Sequence, residues 1–339
     1  VKYSAIGPIS VYLPKKIETN EDLQREHPNW NLDAIVEKTG IRQRHVAAEG
    51  ETSGDLAVKA ASQLFEQYSI EPQSIDYLLL CTQTPDYFLP TTACLVQDRI
   101  GMRTSSGALD FNLGCSGFVY GLSLANGLIR AGDIRRCLLI TAETYTKLID
   151  AGDRSLRTIF GDAAAATLIE AVDEPSLHSF NFGTDGRGGD TLLVRRGGFR
   201  DEEHAIRPRH KHRWKSRLYM DGPSLINFGV GVVPDVVDSI LQRAQLRKDQ
   251  IDLFLMHQAT RKMLEQMSQR LKLEPSRVPL YLESVGNTVS ATIPLLIHHL
   301  RQADQLTPAM TTMMLGFGVG WSWAGCIWND LLAGQPLSG

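Results

Sequence analysis

The chain carries one pattern twice. Ile75-Asp-Tyr-Leu-Leu-Leu-Cys81 is matched by Ile251-Asp-Leu-Phe-Leu-Met-His257, and each run follows a helix-like segment and a polar turn. Next, Gly114-Cys115-Ser116-Gly117 opens a helical run in the first copy, as Gly286-Asn287-Thr288 does in the second. The spacings agree: 34 residues from Cys81 to Cys115, and 30 from His257 to Asn287. Residues 137–141 and 311–315 are the next expected strand in each copy. Phe160-Gly161-Asp162 and Phe317-Gly318-Val319 then each lead into a final strand. Four features in one order predict two topologically similar halves, 1–172 and 173–339. The first half has extra chain at 143–159 and the second an arm at about 186–217, and such insertions are where substrate contacts gather.

Apolar runs at 77–81, 137–141, 163–169 and 253–257 alternate with amphipathic helical patterns. That alternation predicts an α/β protein whose strands are buried on both faces. Residues 306–329 carry no charge and are nearly long enough to span a bilayer. They hold four glycines between 316 and 325, so two buried strands, 311–315 and 321–328, joined by a glycine turn are expected instead. With 35 basic and 38 acidic residues the chain is weakly acidic, which gives no general pull toward nucleic acid or an anionic membrane. Five cysteines without a CxxC pair fit a reduced, cytosolic setting, and the first residues lack a signal-peptide core.

Cys115 stands where a strand gives way to a helix, with glycines on both sides. A cysteine at a helix N-terminus meets exposed N–H groups and the helix dipole, which favour a thiolate. A thiolate is a strong nucleophile toward thioesters. Gly117, Gly121 and Gly127 are expected to let that helix pack closely. The bland alternative, a small buried hydrophobe, is assigned to Cys81, Cys94, Cys137 and Cys326. His257 closes a buried strand, where open α/β sheets bind ligands, and can hold or pass a proton there. Asn287 follows a glycine at a helix start; it reads either as an N-cap or as an amide donating to a developing oxyanion. By the repeat, His257 matches Cys81 and Asn287 matches Cys115, so both helix starts are expected to face one cavity. The turn 316–320 reads equally as a tight hairpin or as a source of oxyanion-binding N–H groups.

Together these segments resemble the β-ketoacyl-acyl-carrier-protein synthase III family, within the thiolase-like superfamily. The matching stretches are Thr39-Gly-Ile-Arg42, Thr84-Pro-Asp86 with Pro90-Thr-Thr-Ala-Cys94, Asn112-Leu-Gly-Cys-Ser-Gly117, Phe160-Gly-Asp162, His257-Gln-Ala259, Gly286-Asn-Thr288, and Gly316-Phe-Gly318 with Gly320. The resemblance implies a thiolase-like five-layer αβαβα fold, a homodimer and a Cys115–His257–Asn287 triad. It implies ping-pong decarboxylative condensation of an acyl thioester with a malonyl thioester. Acyl-CoA and acyl carrier protein would be the partners, and no metal or redox cofactor would be needed. Val319 would lend an N–H to the oxyanion near Cys115.

The implied substrate-binding positions include departures. The tryptophan that the family often stacks on the CoA adenine is matched by Ala34, while its partner arginine is kept as Arg154. Thr260 replaces an asparagine after His-Gln-Ala. Lys262 replaces a carrier-docking arginine, keeping the charge but losing the planar fork. Leu89 matches a residue that reaches across the dimer into the neighbour's acyl pocket. These changes leave the acyl donor open. Alternatives on the same fold are an acyltransferase to an alcohol or amine, a specialised polyketide-type synthase, and a non-catalytic subunit. Residues 195–217 hold nine Lys or Arg against three acids, either a solvated loop or a docking rim for an acidic carrier.

Overall fold

The computed structural model describes residues 2–195, 197–200 and 217–331. The first part of the chain runs β1 (Tyr3–Tyr12), β2 (Lys16–Thr19), α1 (Asn20–Glu26), α2 (Leu32–Thr39), β3 (Gln43–Val46), α3 (Ser53–Tyr68) and β4 (Tyr77–Cys81). It continues through α4 (Thr92–Arg99), β5 (Gly107–Phe111), α5 (Gly117–Ala131), β6 (Arg136–Glu143), α6 (Arg154–Arg157) and β7 (Ala163–Val172). The second part runs β8 (Leu177–Thr184), β9 (Leu192–Val194), β10 (Leu218–Met220), α7 (Gly222–Ala244), β11 (Leu253–Met256), α8 (Arg261–Leu271), α9 (Thr292–Gln302), β12 (Thr311–Gly318) and β13 (Ser322–Asn329).

The two large sheets repeat one topology. The first has the order β1-β7-β6-β4-β5 and the second, read from its other edge, β8-β13-β12-β11. In each, a corresponding pair is parallel, β4 with β6 and β11 with β12, and the next two joins are antiparallel. Only the first sheet has a fifth strand, β5, parallel to β4.

The layers follow from which helix faces are apolar. α5 touches strands of both sheets, and α9 packs on β1, β7 and β11. Their apolar side chains, among them Phe118, Leu122, Leu295 and Leu296, fill the central core between the sheets. α3 and α4 cover the outer face of the first sheet, burying Leu56, Ala60, Leu64 and Val96. α7 and α8 cover the outer face of the second. In α8 the apolar residues Met263, Leu264, Met267 and Leu271 recur at helical spacing and are buried. The result is the five-layer αβαβα fold expected from the sequence.

Local signals set the helix ends. α3 starts on a capping box in which the Thr52 side chain takes the Asp55 N–H and Asp55 takes the Thr52 N–H. α5 stops at Gly132 in the left-handed region. α7 is the one described helix long and apolar enough to cross a membrane by length and composition. Here it packs against β8, β12, β13 and α8.

Two local expectations need correction. β12 does not stop at 315 but runs on through Gly316, Phe317 and Gly318, which pair with Ala324, Trp323 and Ser322. The glycines serve close approach there: a Cβ on Gly318 would lie 2.9 Å from Cys115 Sγ. In α5, Gly117 and Gly121 pack against Cys81 and Leu139, but a side chain at Gly127 would meet nothing within 4 Å.

Candidate active site

Cys115 lies two residues before the start of α5, in a turn closed by the Gly117 N–H donating to the Gly114 carbonyl at 2.8 Å. His257 follows β11 directly, and its backbone N–H continues the ladder to the Leu315 carbonyl at 2.8 Å. Asn287 precedes α9 through an irregular turn and a short 3-10 segment, Val289–Ala291, so it does not open the helix directly as expected. All three side chains line one cavity that is open at its mouth. Its walls are otherwise mostly apolar, including Tyr145, Phe160, Leu192, Met220, Leu225 and Phe317.

Each polar group is held in one orientation. Asn287 Oδ1 accepts the Val289 N–H at 2.9 Å, which leaves its Nδ2 to donate. The cap-like bond and the donating amide are thus features of one residue. His257 Nδ1 lies 2.7 Å from Thr292 Oγ1, and the Phe317 ring meets the imidazole edge-on at 5.7 Å. The N–H groups of Cys115 and Val319 face the Cys115 sulfur and act to lower its pKa. The turn carrying Val319 is tied down by Ser322, whose hydroxyl donates to the Val319 carbonyl at 2.9 Å and meets Ser116 Oγ at 2.7 Å.

Burial sets the resting charges. It pulls His257 down to about 3, so the imidazole is neutral. It pushes the Cys115 thiol up to about 12, with the Glu143 carboxyl adding to the rise. The expected thiolate is therefore not the resting form: desolvation outweighs the helix terminus and the two N–H groups. Glu143 itself is fully buried and raised to about 8 by burial. Its carboxyl accepts from the Gln83 N–H, the Thr84 hydroxyl and the Ser290 hydroxyl at 3.1, 3.2 and 2.8 Å. Glu143, Tyr145 and Thr292 were not singled out from sequence. The signal available was Glu143 itself, an acid closing a largely apolar, buried strand.

The other predicted positions are more scattered. Thr260 lines the cavity and caps α8 with its side chain. Arg154 and Lys262 are exposed and are not among the residues lining it. Leu89 is 80% exposed, beside Phe88 at 74%. Cys81, Cys137 and Cys326 are buried as expected, but Cys94 is exposed on α4, whose buried face is Thr92, Ala93 and Val96. The basic segment 195–217 lies mostly outside the described residues.

A duplicated five-layer fold with a cysteine, a histidine and an asparagine converging on an apolar cavity defines an acyl-transferring condensing enzyme of the thiolase-like class. Family models named 3-oxoacyl-[acyl-carrier-protein] synthase III match residues 109–186 and, for its C-terminal part, 241–329. The chain is 34% identical to a β-ketoacyl-[acyl-carrier-protein] synthase III of Methylococcus capsulatus, over 96% of this chain and 98% of the relative. A crystal structure of a 3-oxoacyl-(acyl-carrier-protein) synthase III superposes with a TM-score of 0.91 at 42% identity, covering 96% of this chain and 99% of the other. A 3-oxoacyl-(acyl-carrier-protein) synthase from Burkholderia xenovorans superposes with a TM-score of 0.90 at 34% identity, covering 98% and 96%. The chain belongs to the β-ketoacyl-acyl-carrier-protein synthase III family.

Proposed function

We propose that the chain condenses an acyl thioester with a malonyl thioester through an acyl intermediate on Cys115. The observation that carries this reading is the joint placement of Cys115, His257 and Asn287 around one cavity with apolar walls. In the first half-reaction Cys115 gives up its proton and its sulfur attacks the acyl thioester. The acyl group moves to Cys115, and the donor leaves as a free thiol carrying a proton. The N–H groups of Cys115 and Val319, already aimed at the sulfur, hold the tetrahedral oxyanion. In the second half-reaction a malonyl thioester loses CO₂ and leaves an enolate. His257 and Asn287 donate to its oxygen, where charge grows as the C–C bond breaks. The enolate carbon attacks acyl-Cys115, the C–S bond breaks, and a β-ketoacyl thioester leaves as Cys115 regains its proton. A side-chain pair that stabilises an enolate has no use in simple acyl transfer to an alcohol or amine.

CoA or carrier phosphopantetheine thioesters serve as substrates, with no metal or redox cofactor. The names of the relatives support an acyl carrier protein as partner, and Lys262 and Arg154, exposed outside the cavity, are the assigned contacts for carrier and CoA. A homodimer is supported by the open edge of β5. Leu109 on that edge is 43% exposed, and Asp110 binds the N–H groups of Thr92 and Ala93 next to the exposed loop at Phe88 and Leu89. The reading includes a cytoplasmic enzyme that engages neither nucleic acid nor membrane, and it treats 1–172 and 173–339 as duplicated halves.

The test is incubation with a panel of acyl-CoAs and acyl carriers, read by intact mass with Cys115→Ala as control. An adduct on the native chain that is absent from the variant supports the reading, and the best-loaded acyl group names the donor. Absence of any adduct from CoA and carrier donors alike rejects it.

A further inference from the structure

The second half-reaction needs His257 and Asn287 to donate, yet each side chain also carries an acceptor atom. For Asn287 the turn settles the matter, because the Val289 N–H occupies Oδ1 and only Nδ2 is left for the cavity. For His257 the ring proton can sit on either nitrogen, and only the Nε2–H form donates from that nitrogen. The group that faces the other nitrogen comes from the same turn. Thr292 Oγ1 is 2.7 Å from Nδ1, and Thr292 is 2% exposed.

We propose that Thr292 is a positioning residue: its hydroxyl donates to Nδ1 of His257, so that the ring proton is held on Nε2. The hydroxyl has two acceptors within reach, Nδ1 at 2.7 Å and the Val289 carbonyl at 3.2 Å. It has one proton to give, and the nearer acceptor, an imidazole nitrogen, is the stronger partner. The turn then works by one rule for both side chains. A donor of residues 289–292 covers the acceptor atom of each, and what remains exposed to the cavity is an N–H.

The backbone at this point is consistent with a site held in place. Val289 sits at φ +56°, a left-handed conformation that a β-branched residue adopts only at a cost. That conformation accompanies an N–H on Asn287 Oδ1 and a carbonyl close to Thr292. A serine keeps the hydroxyl; a valine keeps the β-branched shape and loses the donor.

This inference rests on the condensation reading, and the experiment separates the two. Full-length enzyme labelled with ¹⁵N-histidine is examined by NMR, with His257→Gln assigning the signals. The expected wild-type pattern is a protonated-type shift for Nε2 and an unprotonated-type shift for Nδ1. Thr292→Ser retains it, and Thr292→Val loses it. CO₂ release from a malonyl thioester then falls about 10-fold or more in Thr292→Val, in kcat rather than KM, with Cys115 acylation kept and Thr292→Ser restoring the rate. A wild-type enzyme protonated on Nδ1 overturns the proposal and needs no variant, so a Thr292→Val chain that does not fold leaves it decided. Equal CO₂ release by Thr292→Val and wild type also overturns it. Absence of CO₂ release from the wild type rejects the condensation reading, while the NMR pattern still decides the role of Thr292.

Discussion

The ends of β4 and β11 occupy equivalent places in the two sheets, and they present different chemistry. β4 ends at Cys81, whose thiol is fully buried and donates to the Leu113 carbonyl at 2.9 Å beneath Gly117. β11 ends one residue before His257, whose imidazole faces the cavity. The turns that follow also differ. Cys115 comes after a full strand, β5, and offers a thiol with backbone N–H groups around it. Asn287 follows no fifth strand; its backbone instead bonds across to the first half, Asn287 N–H to the Ile159 carbonyl at 2.9 Å and Gly161 N–H to the Asn287 carbonyl at 3.1 Å. One scaffold has thus been fitted with a nucleophile on one side and with side-chain donors on the other. The comparison teaches that a duplicated fold supplies two helix starts aimed at one cavity, and that the residues placed there divide the reaction.

That division can be broken by experiment. Cys115→Ala should cut acyl transfer by about 10⁴-fold or more, because the sulfur that takes the acyl group is gone. CO₂ release from a malonyl thioester should persist in the same variant, and joint loss of both would show that the halves do not divide the work. Asn287→Ala should show the reverse, a fall in CO₂ release of about 10²–10³-fold with acyl-Cys115 still visible by intact mass. In α5, Gly117→Ala would place a Cβ 2.3 Å from Cys81 Sγ and should cost about 1–3 kcal/mol in denaturant unfolding. Gly127→Ala, with open space around it, should instead stabilise by about 0.5–1 kcal/mol.

Glu143 gives the most diagnostic effect. Burial raises its carboxyl from 4.5 to about 8, so through that window the folded chain binds more protons than the unfolded one. Its contribution to stability therefore falls as pH rises from 4.5 and levels off above about 8. Glutamine does not ionise, so Glu143→Gln should narrow the Tm gap between about pH 5 and about pH 9 by a few degrees. An unchanged gap would show that Glu143 is not protonated in the folded chain.

The duplication, the main strands and the convergence of Cys115, His257 and Asn287 on one cavity were legible in the sequence because they rest on periodicity and spacing. The apolar runs before Cys81 and His257 had to be strands, and the glycines around Cys115 had to mark a close approach. What was not legible depends on distances between segments far apart in the chain. β12 extends to Gly318 because β13 is there to pair with it, and a glycine cluster read alone resembles a turn. Cys94 looks apolar in sequence, but only the way α4 lies on its sheet shows that this position faces out. The Cys115 thiol stays protonated because it is buried, and that burial comes from side chains brought together from far-apart segments. Thr292 and Glu143 were invisible for the same reason, since each acquires its meaning from a partner more than thirty residues away.

Phe160-Gly161 of the first half lies against Asn287, while Gly318 of the second lies against Cys115. Each half therefore finishes the other's reactive turn. Recombination between related genes that swaps one sheet for its counterpart would carry a catalytic residue away from the strand end fitted to it. Productive crossovers should keep these contacts matched as a set, which makes the pair of halves, rather than either half, the unit that can be exchanged.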